Sequence, residues 1–204
     1  MDSGITVTGT GQATAPADLL RLTLSVGQDA PDVAAAVAQV AKRTDAVTDA
    51  LRDQGVTRAD VQTSSVNVHP QYGDTGRVVG YRAAHTLTVT TKDLTGFGRL
   101  LNAAVEAAGN SLGLDYLQFD VADKTPLLEQ ARELAFAQAR QKADQLATLA
   151  GQTIGSIAAV GETLNQVPMT TMAAKAVSSY SPELSITPGE QNVEVTLEVR
   201  WNWA

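Results

Sequence analysis

Cysteine is absent from the chain, so thiol nucleophiles, thiolate metal sites and disulfides are all excluded. The absence is neutral about compartment: a cystine framework would argue for export, but its lack argues neither way. Aromatic residues make up only 4% of the sequence, and the core must come from Val, Leu, Ile and Ala. Basic residues are in deficit, 15 Lys and Arg against 22 Asp and Glu, for a net charge of −7. No basic run exceeds Lys42-Arg43. Nucleic acid and anionic membrane surfaces both need a basic face, so neither is an expected partner. No apolar run approaches the roughly 20 residues of a membrane-spanning helix. No signal-peptide pattern is present either, since Met1-Asp2-Ser3-Gly4 leads straight into the strand-like Ile5-Thr6-Val7. Two readings of that start stay open: a cytoplasmic protein, or an added Met1 where a targeting segment was removed.

What is present is enough for a core. At 204 residues with 44% hydrophobic content, the chain has the size of one large domain or two small ones. A chain of this length buries roughly 70% of its unfolded surface without needing a staple. Leu20, Leu22, Leu24 and Val26 alternate with Arg21, Thr23, Ser25 and Gly27, the period of a strand with one buried face. Pro31 stands where a helix begins, and Val33, Val37, Val40, Thr44, Val47 and Leu51 form a helical stripe that Gly55 ends. Residues 60–72 and 78–91 read as strands around the turn Gly73-Asp74-Thr75-Gly76. A second helix carries Leu94, Phe97, Leu101, Ala104 and Ala108 and closes at Gly109-Asn110. Leu117, Phe119 and Val121 alternate again. From 18 to 121 the order is β-α-β-β-α-β, the arrangement of ferredoxin-like antiparallel sheets with helices on one face.

Residues 125–150 predict the longest helix, with a narrow stripe of Leu128, Ala131, Ala135, Ala139, Ala143, Leu146 and Ala150. Glu129 and Arg132 are expected to pair on its surface. Strands follow at 154–160 and at 193–203, the latter with Val193, Val195, Leu197, Val199, Trp201 and Trp203 on one face. Between them, 165–190 holds Pro168, Pro182 and Pro188 among many Ser and Thr and reads as a long loop. The expected fold class is α+β: a mostly antiparallel sheet, then a long helix and C-terminal strands, in one domain spanning 1–204.

The residues that could carry chemistry are few. Gly9-Thr10-Gly11 begins like a dinucleotide fingerprint, but Thr14 replaces the third glycine and a strand follows in place of a helix. A glycine-relieved bend or bulge is the better reading. His69 and His85 are the only histidines. If Tyr72 faces Arg77, His69 faces Gly80 and His85 lies about five residues further, roughly 15 Å away, too far for a shared metal. His85, on a face with Tyr81 and Leu87, reads as a core histidine with one hydrogen bond. No Gly-x-Ser-x-Gly elbow is present, Ser64-Ser65 fall mid-strand, and most acids sit on exposed helix faces. No catalytic, cofactor or metal residues are therefore assigned. Trp201 and Trp203 point the same way on a terminal strand, either into the core or into a subunit interface, where Trp is enriched. Met169, Met172 and Tyr180 are a candidate binding patch in the long loop.

A family resemblance rests on particular residues. Val7-x-Gly9-x-Gly11, Asp18, Gly55-Val56, Asp60-Val61-Gln62-Thr63, Pro70-Gln71-Tyr72, Val79-Gly80-Tyr81, Ala108-Gly109-Asn110 and Phe119 carry its first half. Ala131-Arg132, Ala139-Arg140, Lys142-Ala143, Gly151 and Pro188-Gly189-Glu190 carry the rest. Together they resemble the SIMPL-domain family, the DUF541 type. One departure is that Ala17, rather than Pro, precedes Asp18, with Pro16 one place earlier. The resemblance implies an exported α+β domain, periplasmic or envelope-associated, often a homo-oligomer, with envelope protein partners and no established catalytic residues to carry over. Three function classes follow: a non-enzymatic domain acting by self-assembly or partner binding; a small-molecule or peptide binder using 165–190 as a lid; and an enzyme with an unrecognised acid or histidine site.

Overall fold

A computed structural model describes residues 4–163 and 188–204. The elements run β1 (Gly4–Pro16), β2 (Leu19–Ala30), α1 (Val33–Asp53), β3 (Val61–Tyr72), β4 (Val78–Thr91), α2 (Phe97–Ala108), β5 (Leu112–Asp120), α3 (Thr125–Leu149), β6 (Ile154–Thr163) and β7 (Glu190–Trp203). The fold is α+β, with the strands in two antiparallel sheets. The described residues divide into two compact units: 4–17, 121–163 and 189–204 form unit 1, and 18–120 with Pro188 form unit 2.

Unit 2 has the expected order, β2-α1-β3-β4-α2-β5, with the strands arranged β3-β4-β2-β5. Alternation explains its sheet: Leu20, Leu22, Leu24 and Val26 are fully buried beside Ala83, Leu87 and Val89 of β4. Asp32 caps α1 by accepting a hydrogen bond from Ala35 N at 2.8 Å. At the other end Gly55 takes φ +91, Gly55 N donates to Arg52 O and Val56 N to Leu51 O. This paired closure needs the left-handed backbone that glycine adopts without a Cβ penalty. The buried row of α1 is Ala36, Val40, Thr44, Val47 and Leu51, while Val33 and Val37 are exposed. Ala36 continues the four-residue step back from Val40, so it, and not Val37, meets the core. In α2, Leu100 is buried and Leu101 only partly so, beside buried Phe97, Ala104 and Ala108.

The hairpin of β3 and β4 departs from the expected register. Tyr72 faces Val78, His69 faces Arg82 and His85 faces Val66. The pairing shifts by one position at the turn, where Tyr72 meets Val78 rather than Arg77, and by one more at a bulge between Gln71 and Tyr72 that leaves Val79 unmatched. The histidines are thus three positions apart along β3, not five. Three is odd, so they lie on opposite faces of the sheet.

Unit 1 is a three-stranded sheet, β1-β7-β6, with α3 against one face. β1 and β7 pair without interruption from Gly4 opposite Asn202 to Pro16 opposite Glu190. Gly9 and Gly11 therefore sit in regular strand, and the expected bend or bulge is absent there. Their role is clearance. A Cβ on Gly9 would lie 2.0 Å from Ala135 O, and one on Gly11 would lie 2.1 Å from Ala131 O. The backbone of α3 rests directly on β1. The buried row of α3 is Leu127, Ala131, Ala135, Ala139, Ala143 and Ala147. A row of every fourth residue is a ridge inclined to the helix axis, which brings in Leu127 and Ala147 where the sequence suggested Leu128, Leu146 and Ala150. Gly151, at φ +67, ends α3 with the same closure as Gly55, Gly151 N donating to Thr148 O and Gln152 N to Ala147 O.

Candidate functional site

The polar groups offer little for catalysis. His85 Nε2 lies 3.1 Å from Thr63 Oγ1, and its ring is half-buried. It makes one hydrogen bond, but the ring is half-buried rather than in the core. His69 is exposed. Among the described residues, no three His, Asp or Glu side chains gather as metal ligands would. Asp93 is held below the usual carboxylate range, chiefly by a hydrogen bond from the Thr95 hydroxyl, with further bonds from Thr95 N, Gly96 N and Arg99. Asp123 is lowered too, by the backbone N–H of Thr125 at the start of α3. A general acid at neutral pH needs the opposite shift. These two carboxylates order the entries to α2 and α3.

Beside the expected charge of Glu129, Arg132 makes a hydrogen-bonded ion pair the sequence did not suggest. Arg132 Nε reaches both carboxylate oxygens of Glu162 on β6 at 3.0 Å, and this bond raises the arginine pKa. Sequence spacing shows neighbours on one helix but not a strand folded back alongside it. A shallow groove of about 1090 Å³ runs along the flank of α3 past Phe136, Arg140, Asp144 and Leu149. Its charged members Arg140 and Asp144 pair with each other at 3.2 Å.

Trp201 is fully buried in unit 1, its ring centroid 6.2 Å from that of Phe136 on α3. Its Nε1 has no hydrogen-bond partner among the described residues. Trp203 is half-buried near the strand end, opposite Ile154. Of the two, only Trp203 keeps exposed surface. Met169, Met172 and Tyr180, with nearly all of the 165–190 loop, lie outside the described residues.

The more informative geometry is at the edges of the unit 1 sheet. Both edge strands are uncharged where they could meet another chain: β1 throughout, and β6 from Ile154 to Gly161. An uncovered edge presents unpaired N–H and C=O groups that recruit further strands. On β1 two of these groups are bound by side chains of α3. Thr10 N donates to Gln138 Oε1 at 2.8 Å, and Lys142 Nζ donates to Thr8 O at 2.8 Å. Gln138 and Lys142 reach these groups because they lie one step to one side of the alanine ridge. On β6, Glu162 pairs with Arg132, and Ser156 Oγ accepts from Asn202 Nδ2 on β7 at 3.2 Å. Residues 156–163 are exposed, including Ile157 at 46% and Val160 at 54%. Ile157 faces Trp201 and Val160 faces Val199, so both point to the α3 side of the sheet. Two register shifts, at Ile154/Ile157 and Ile157/Ala159, put them there. The sequence signal for this edge was the eight uncharged, proline-free residues Ile154–Gly161; periodicity alone did not mark it as an edge.

The fold and surface define a class: a two-unit α+β protein whose described surface offers a strand edge rather than a polar catalytic cleft. The chain belongs to the SIMPL family, described as a protein of unknown function (DUF541), whose pattern matches residues 5–201. It is 30% identical to the 26 kDa periplasmic immunogenic protein of Brucella melitensis, over 96% of this chain and 82% of that one. It is 28% identical to the uncharacterized protein YggE of Edwardsiella ictaluri, over 93% and 81% of the two chains. Against YggE of Escherichia coli K12 the identity is 26%, over 76% and 64%. A solved structure of AtUAH in complex with glyoxylate aligns at 16% identity with a TM-score of 0.27, over 62% of this chain and 34% of that one, too low to bear on the fold.

Proposed function

We propose that this chain is a non-enzymatic exported protein that works by associating with polypeptides, either copies of itself or envelope proteins. Export is supported by the relatives named as periplasmic. Association is supported by one observation above the others: among the described residues, β1 has Thr10 N and Thr8 O bound by Gln138 and Lys142, while the uncharged strand β6 leaves the branched apolar side chains Ile157 and Val160 exposed. Main-chain pairing along a strand edge supplies affinity without a deep pocket. A non-enzymatic role fits carboxylates bonded into the turns before α2 and α3 and a histidine bonded to a threonine.

Light scattering after size exclusion, across a range of protein concentrations, measures association directly. A defined assembly larger than the 21.3 kDa chain is expected. Amide hydrogen exchange on β6 adds a second readout, in buffer and in periplasmic extract. A chain that is monomeric throughout, with β6 amides exchanging as in a free peptide under both conditions, would exclude the proposal.

A further inference from the structure

We draw no further inference here: the strongest candidate, the hydroxyl-bearing face of the unit 2 sheet where Thr23 and Ser25 of β2 lie opposite Thr88 and Thr86 of β4, carries nothing, because no observation in the structure shows what covers it.

Discussion

Units 1 and 2 both place helix against antiparallel sheet, but they fill the space between in opposite ways. Unit 2 uses large side chains: Leu20, Leu22 and Leu24 on β2 meet Val40, Val47 and Leu51 on α1 and Phe97 and Leu100 on α2. Unit 1 removes side chains. Gly9 and Gly11 on β1 meet Ala131, Ala135 and Ala139 on α3, and Trp201 fills the space left further along β7. The difference teaches where each unit is fragile. A core of leucines loses stability when atoms are deleted, whereas one of glycine and alanine loses it when atoms are added. Close approach also has a use: with its backbone resting on β1, α3 can reach over that edge with Gln138 and Lys142.

Deletion in unit 2 is the largest expected effect. Leu24→Ala should cost about 3 kcal/mol or more, measured by the urea midpoint, because Leu24 is fully buried. A loss below about 1 kcal/mol would mean the core collapses around the gap. Addition in unit 1 comes next. Gly9→Ala adds a single methyl, yet should cost about 2 kcal/mol, since that methyl meets Ala135 O and Ala139 N, which are backbone. The contrast breaks if Gly9→Ala is neutral, for then α3 moves away freely.

Acid sensitivity sharpens the comparison at the entry to α2. The Asp93 carboxyl is lowered in the folded state, first by the Thr95 hydroxyl, so it stabilises the fold above the ordinary aspartate value of 3.8. That contribution is lost as pH falls through the lowered folded value. Asp93→Asn should flatten the dependence of stability on pH below about pH 4; an unchanged slope would assign the acid sensitivity to other carboxylates. The smallest effect is at Arg132. Its Nε–H is shared by both oxygens of Glu162 at the surface, and Arg132→Ala should lower the urea midpoint least of the four, with the loss shrinking further in high salt. A larger loss would show that the ion pair holds β6 in place.

Legibility followed the range of the interactions. The alternation of β2, the stop at Gly55 and the element order of unit 2 could be read from local pattern, because each depends on residues a few positions apart. The β3–β4 register could not, since the turn closes one position further on than expected and register shifts at Gln71/Tyr72 and Thr63/Ser65 displace the pairs beyond them. Trp201 showed the limit of local reading most directly. Its face on β7 was plain from alternation, but whether that face met solvent, another copy or α3 depended on a helix more than fifty residues earlier.

Sequence by itself determined that the chain is an acidic, cysteine-free α+β protein, the alternating faces of strands such as β2 and β7, and where glycine ends α1 and α3, because periodicity and glycine punctuation act locally. Tertiary structure alone decided that Gly9 and Gly11 give clearance rather than a bend, that Arg132 pairs across to Glu162, and that α3 side chains bind Thr8 O and Thr10 N on β1. Those outcomes depend on which backbone lies over which, and chain segments far apart in sequence meet only when the sheet is assembled.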